Sequence, residues 1–519
     1  MLKNGFARRA FGVAALAGAI VSFGASFGTS PVLAQKAKDT LRIAVTTNIP
    51  QLSIYEFAQP DADFFYRELY DNLMLYNEEK KTFEPRLAKS AKQIGPTTIE
   101  FELRDDITFH SGNKMTADDA VYTLNWTVAN DTKMFLKNRY TGVIKNAEKT
   151  GPYTFRLHTV APTAIDMLRL RSFFVYDSKI HRPLADKTEY GRKGIGTGPM
   201  QLASFEPGQK MVMTRFKDFK LGKPNEIGRI EGYFVGDQQT QIAQLLTGGI
   251  DLMRNPTQDQ ITEFSKRPGF GASVTEGNNI LYMTYDTINR SEEAKALTDV
   301  RVRRAIAMAL DRELLIKQIG VQGQDPHPLD AMCTNAMIAC VHNTKAPGFN
   351  REEAKKLLKE AGYANGFKLE IATTPQYRSW AEAIAGELRK VGIQATVNPQ
   401  ADVVIRKLRS TGKIQMAMEN LPVLAIPDAH LTYQVNFGNR SELYIKDDAF
   451  LKLGEEGLST RDPALRERIY AQMFDRINDQ MYLLPLTSMP STYLHTSEVV
   501  YRQTPGFKFT PRITDFHWK

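Results

Sequence analysis

Residues 101–126 read FELRDDITFHSGNKMTADDAVYTLNW and bring His110, Asp105, Asp106, Asp118 and Asp119 within fifteen residues of one another. An imidazole and carboxylates so close are the raw material of a metal centre or an acid–base pair. A metal site needs further ligands, however, and His110 has neither an HxxxH partner nor a cysteine beside it. Thr116 followed three residues later by Asp119 reads instead as a reciprocal helix cap. Asp118 and Asp119 then fall in a first helical turn, where carboxylates meet the positive helix end. Asp105 and Asp106 read as turn residues. This stretch is scaffolding.

Other signals of catalysis are equally sparse. GxSxG, HExxH, the P-loop and the cysteine zinc pattern are missing, and the eight histidines are scattered. GIGTGP (194–199) superficially resembles a dinucleotide fingerprint. Pro199 stands where the helix should run on, and the alternating MQLASFE and KMVMTRF follow, so it is a turn before a β-hairpin. We expect no enzyme and no cofactor.

The N-terminus MLKNGFARRAFGVAALAGAIVSFGASFGTSPVLAQK has a basic start, an uncharged Ala/Gly-rich stretch and a small-residue cleavage pattern at Val32-Leu33-Ala34. That is the pattern of an export signal over 1–34, cleaved near Ala34. ARRAFGV is a partial match to the twin-arginine type. Without Lys3, Arg8 and Arg9, the 67 basic residues become 64 against 58 acidic ones, a mild +6. No Lys/Arg block is long enough for a nucleic-acid groove, and no later segment is apolar enough to cross a membrane. Cys333 and Cys340, seven apart, are expected to form a local disulfide in an oxidising compartment. Neither can carry a lipid anchor at the mature N-terminus.

About 485 mature residues exceed one core, so two or three lobes are expected. TLRIAVTTNIP (40–50) reads as a strand and loop, and DADFFYRELYDNLMLYN (61–77) has its apolar residues at helical spacing. FELRDDITFH suits two strands meeting at Asp105-Asp106. NILYMTYDTINR reads as a strand, and LTDVRVRRAIAMALDRELLIKQI as a helix with Val302, Ile306, Ala309 and Leu310 on one face. FKLEIATT, SWAEAIAGELRKVGI and QATVNPQ form a β–α–β unit.

Four stretches carry a family resemblance: EPRLAKSAKQIGPTTIEFELRDDITFHSGNKMTADDAVYTLNW (84–126), GIGTGPMQLASF (194–205), QTQIAQLLTGGIDLM (239–253) and LTDVRVRRAIAMALDRELLI (297–316). In this order they resemble the extracytoplasmic solute-binding proteins of ABC transporters, the peptide/opine/nickel-binding family 5. The resemblance implies an α/β, two-lobed periplasmic binding protein fold (type II, cluster C) with an inserted accessory domain and a ligand cleft between the lobes. Lobe I would comprise 35–80, 191–290 and 487–519, the accessory domain 81–190 and lobe II 291–486, with hinge crossings near Asp286 and Pro485. It further implies a monomer in the periplasm of a Gram-negative bacterium, which closes over a small organic solute and delivers it to an inner-membrane ABC permease.

Ligand-selecting residues should come from cleft-facing strand ends and loops. Thr47, Asn48 and Tyr55 are candidates in TTNIPQLSIYEF, although core packing competes for Tyr55. Near the hinge, alternation puts Tyr285 on one face and Tyr282 with Asp286 on the other, so one set at most lines the cleft. In TTPQYRSWAEA, Tyr377, Arg378 and Trp380 form a third set, with Trp380 a candidate cover for an apolar or planar group and Arg378 a candidate bidentate clamp for a carboxylate or phosphate, although simple surface exposure competes for Arg378. The peptide-binding relatives carry a Gly/Trp-rich stretch whose aspartate holds the ligand's α-amine. Here AMENLPVLAI stands in its place before Pro427-Asp428, leaving Glu419, Asn420 and His430 as candidates. That departure argues against an ordinary peptide with a free N-terminus and leaves opines, modified amino acids, sugar conjugates or acylated amines. A nickel- or metal-complex carrier and a periplasmic sensor or chaperone-like adaptor are the alternatives.

Overall fold

Ten strands form one mixed sheet that runs through the whole described body. Their spatial order is Gln394–Pro399, Lys368–Thr373, Met416–Pro422, Phe270–Tyr285, Leu483–Thr496, Leu252–Arg254, Thr40–Val45, Arg229–Phe234, Lys210–Arg215 and Met200–Glu206. The structure, a computed structural model, describes residues 39–134, 137–222, 226–321, 325 and 327–519. The export segment expected over 1–34 lies outside the described residues.

Each wing of the sheet has a parallel core for a reason visible in its sequence, and one wing ends in the antiparallel strands Lys210–Arg215 and Met200–Glu206. TLRIAV is buried at every position but Arg42, which pairs with Asp251, as suits a strand covered on both faces, and it pairs in parallel with Arg229–Phe234 and Leu252–Arg254. On the other wing Lys368–Thr373 pairs in parallel with Gln394–Pro399, with the amphipathic helix Arg378–Arg389 as the crossover. This is the β–α–β unit the sequence announced.

Two long antiparallel strands, Phe270–Tyr285 and Leu483–Thr496, join the wings. One wing attaches at Tyr493–His495 and the other along Asn279–Tyr285. Register breaks fall between Val274 and Gly277, Gly277 and Asn279, and Leu281 and Tyr282. Gly277 permits a close approach there: a Cβ would lie 2.0 Å from Ser488 Oγ. The faces of Phe270–Tyr285 divide as expected, Tyr285 entering one core with Leu281 and Met283, and Tyr282 entering another with Ile280.

A separate four-stranded antiparallel sheet (Ala88–Gly95, Thr98–Leu103, Thr154–Thr159, Ile144–Lys149) carries the helix Ala117–Val128. That helix has the capping box, with the Asp119 carboxylate accepting from Thr116 N at 2.9 Å. Phe101 and Phe155 of this sheet share one apolar cluster with Tyr55, Phe65 and Tyr493.

Three element expectations change. The 61–77 segment is the helix Pro60–Leu69 followed by the strand Met74–Asn77, because Tyr70 turns extended and its hydroxyl donates to Leu52 O at 2.8 Å. The strand at 101 stops at Leu103; Ile107 and Phe109 are buried in a turn. The basic helix breaks at Leu310 into Val300–Ala309 and Arg312–Ile319, the second capped by Asp311. Cys333 and Cys340 are disulfide-bonded, with Cα atoms 5.6 Å apart.

Candidate ligand cleft

His110 is a staple between two of the motif stretches. Its Nδ1 accepts from Gly196 N at 3.2 Å and its Nε2–H donates to Gly198 O at 3.0 Å, which fixes the neutral tautomer. Burial pushes its pKa down. Gly196 and Gly198 are required because a Cβ on either would strike the Leu69 or Glu68 carbonyl at 2.0 or 2.4 Å. Asp118 and Asp105 meet Lys149 and Lys89 at the surface, and Asp106 meets Arg104.

A cavity of about 310 Å³ opens between the wings. Asp63, Phe64 and Arg67 of the helix Pro60–Leu69 form one wall, and Pro422 and Ala425, at and beyond the end of the Met416–Pro422 strand, face them. Asn279 and Ser491 come from the two long strands, and Arg254 from the carboxyl end of its short parallel strand. Ligand crevices in open α/β sheets lie at such strand ends. A second cavity, of about 820 Å³, lies beside the disulfide loop and is lined by Glu276, His327, Asp330, Cys333 and His342 among others. The same segments serve both: Gly277 and Asn279, Pro490 and Ser491, Phe509 and Thr510 divide between them. The 509–510 segment is held by Glu78, which accepts from Phe509 N at 2.7 Å and pairs with Arg171 in a buried site.

Two ion pairs organise the smaller cavity. Arg67 sits one helical turn after Asp63 and grips it through Nε at 2.9 Å and Nη2 at 2.8 Å. Arg254, 7 % exposed, reaches Asp61 through Nη1 at 2.7 Å and lies over the Phe64 ring at 4.4 Å. Asp61 is fixed in turn by the Thr47 hydroxyl at 2.7 Å.

None of the twelve sequence candidates lines either cavity. Thr47 acts one step back, through Asp61, and Asn48 is exposed beside Gly208. Tyr55 is fully buried among Trp126, Tyr140, Phe173 and Tyr176, its hydroxyl bonded to Phe174, so packing wins there. Tyr282 donates to Asn436 at 2.9 Å, and Tyr285 is core. Asp286 caps the turn at Arg290 and Ser291. Tyr377 is half-buried, Arg378 is exposed in an i,i+4 pair with Glu382, and Trp380 packs in the core under its helix. Glu419 is taken by Arg409 and Tyr282, while Asn420 is half-buried opposite Leu281. His430 is buried, with burial and then Arg169 and Arg466 pushing it down to about 3. Asp63, Phe64, Arg67 and Arg254 went unremarked in the sequence. The one usable signal was Arg254, a charge closing a short strand after Leu252-Met253 and before Asn255-Pro256.

Among the described residues no group of three or more His, Cys, Asp or Glu is placed to hold a metal ion, and no helix is long and apolar enough to cross a membrane. Two wings with parallel cores, a pair of connecting strands and a cavity between them are the architecture of a two-lobed solute-binding protein.

The family model of the bacterial extracellular solute-binding proteins, family 5, matches residues 82–441, and the chain belongs to that family. Heme-binding protein A of Haemophilus influenzae is 22% identical over 464 residues, 81% of each chain. The solved substrate-binding protein CtaP of Listeria monocytogenes superposes with a TM-score of 0.81 at 20% identity, covering 93% of this chain and 100% of that one. AgaA of A. tumefaciens R10, solved with agropinic acid, gives 0.74 at 20% identity over 92% and 99%. The family binds small solutes for ABC permeases and is a transport family, not an enzymatic one.

Proposed function

We propose that this protein is exported by residues 1–34 to the periplasm of a Gram-negative bacterium. There it captures a small organic solute as a monomer and delivers it to an inner-membrane permease. The solute is peptide-like, an opine or a modified amino-acid derivative, and it lacks the free α-amine of an ordinary peptide. One observation supports this most: the wall facing Asp63, Phe64 and Arg67 presents Pro422 and Ala425, the cavity's own carboxylate, Asp63, is already paired to Arg67, and Glu419 is paired to Arg409. An ammonium group would enter there with no unpaired carboxylate to meet it, at a cost on the order of several kcal/mol. The lobes divide as 35–80, 191–290 and 487–519 against 291–486, with 81–190 as the accessory domain. Closure flexes the two long strands at their register breaks.

Native mass spectrometry of the gently purified mature protein, before and after denaturation, tests the reading. A discrete organic adduct released by denaturation is expected. A stoichiometric metal or a tetrapyrrole mass would replace this reading with metal-complex carriage.

A further inference from the structure

We propose that Asp63 accepts an amide N–H of the captured solute, and that its pairing with Arg67 makes the smaller cavity select an uncharged amide over an acid or an amine. The inference rests on the solute-capture reading above and narrows its solute to an acylated, amide-bearing one. The two ion pairs of this cavity differ in what they leave open. Arg254–Asp61 is sealed, with side-chain exposures of 8 % and 4 %. Arg67–Asp63 lies on the open wall, at 13 % and 33 %. Both Arg67 contacts, Nε at 2.9 Å and Nη2 at 2.8 Å, end on the same oxygen, Asp63 Oδ2. Among the described residues no donor reaches Oδ1, which is left as an acceptor on the cavity wall.

The acceptor is held in advance. Asp63 and Arg67 share one face of the helix Pro60–Leu69, and the Arg67 carbonyl accepts from Arg512 Nη2 at 3.1 Å. Charge then decides what it recognises. The charged residues lining this cavity are Asp63, Arg67 and Arg254; Arg67 cancels Asp63, and Asp61 behind the wall cancels Arg254. An ammonium or a carboxylate would leave water and find no net opposite charge. A neutral N–H surrenders far less hydration and still gains the stronger bond that an ionised acceptor gives. Ile54, Phe64, Pro422 and Pro511 add an apolar bed, which suits the carbon frame of an acylated amino acid better than a ring of hydroxyls. The pair therefore works by rejecting both signs of charge as much as by attracting the amide.

The test is a binding panel on the full mature chain, read by calorimetry. The probes are N-acetyl-phenylalaninamide, N-acetyl-leucinamide and N-acetyl-glutaminamide. Each stands beside its N-acetyl acid, its free-amine amide and the O-acetyl analogue, in which oxygen replaces the acetamide N–H. The proteins are the parent, Asp63→Asn, Arg67→Gln, and Asp63→Leu combined with Arg67→Met. In the parent at least one N-acetyl amide should bind about tenfold or more tightly than its acid, its amine and its O-acetyl analogue. Asp63→Asn leaves Arg67 uncancelled and should turn the preference to the acid. Arg67→Gln leaves Asp63 uncancelled and should turn it to the amine. The double variant should bind amide and O-acetyl analogue alike. Urea midpoints should barely move, since the side chains form a partly exposed i,i+4 pair, so an inverted preference is not a folding effect. A parent that binds no amide of the panel, or binds an acid, amine or O-acetyl analogue as tightly, overturns the inference. So do single variants whose preference does not invert. Either result leaves solute capture standing, because the native-mass experiment decides capture by itself.

Discussion

The Tyr55 hydroxyl donates to the Phe174 carbonyl at 2.7 Å and accepts from the Phe174 amide at 3.0 Å, all within an aromatic cluster. Tyr55→Phe should therefore cost about 1–3 kcal/mol in urea unfolding, because two backbone groups lose a buried partner. Solute affinity should stay unchanged; a loss of affinity without a loss of stability would return Tyr55 to the ligand. Glu68, fully buried behind the cavity helix, is pushed up to about 7 by burial, offset in part by Arg512. Its carboxyl is thus protonated in the folded chain at pH values where the unfolded chain has already lost the proton. Its stabilising contribution is complete below about 4.5 and is lost as pH rises through about 7. Glu68→Gln should raise Tm relative to the parent at pH 8 and lose that advantage at pH 4.5. His181 and His430 act at the other end: burial holds both down at about 3, so they favour the fold fully above their unfolded value and progressively less as pH falls toward 3.

At the scale of elements, the 164–169 segment beyond the four-stranded sheet clasps the far wing. Arg461 pairs with Asp166 at 2.6 Å, Arg169 donates to Gln434 at 2.8 Å, and Ala164 N bonds Leu458 O at 2.9 Å. These contacts favour the arrangement in which the wings face each other, so they bias an opening equilibrium. Asp166→Asn with Arg461→Ala should weaken solute binding about three- to tenfold while moving unfolding stability by about 1 kcal/mol or less. Calorimetry beside urea unfolding checks this, and equal loss in both would make the clasp merely structural. The β–α–β unit was legible because an apolar strand, an amphipathic helix and a second strand each show their own period. The stop at Leu69 was not, since aromatic residues continue on the buried side of the next strand and prolong the apparent helix. Site faces were less legible still. Ile54 lines the cavity and Tyr55 beside it does not, a difference set by packing against Phe174 from 119 residues away. Likewise nothing local to Arg254 announces Asp61, its partner from 193 residues away in the chain.

For the molecule as a whole, the two connecting strands are both scaffold and moving part. Gly277 faces Ser488 with no room for a Cβ, so the breaks beside it are maintained by the absence of a side chain. Gly277→Val should stiffen or displace this crossing. We expect a larger radius of gyration in the presence of solute, by small-angle scattering, and weaker binding, with helix content unchanged. Unaltered compaction on binding would place the flexing point elsewhere.

The strand order also dictates a schedule. Leu483–Thr496 lies in the middle of the sheet, between Phe270–Tyr285 and Leu252–Arg254, yet it comes from near the far end of the chain. A chain emerging amino end first would carry both wings with a vacant slot between them until about residue 496 appeared. Two unpaired strand edges would face each other across that slot, inviting mispairing, and no intermediate length would offer a finished cavity. Such a topology ties the finished sheet, and the cavity beside it, to the synthesis of almost the whole chain.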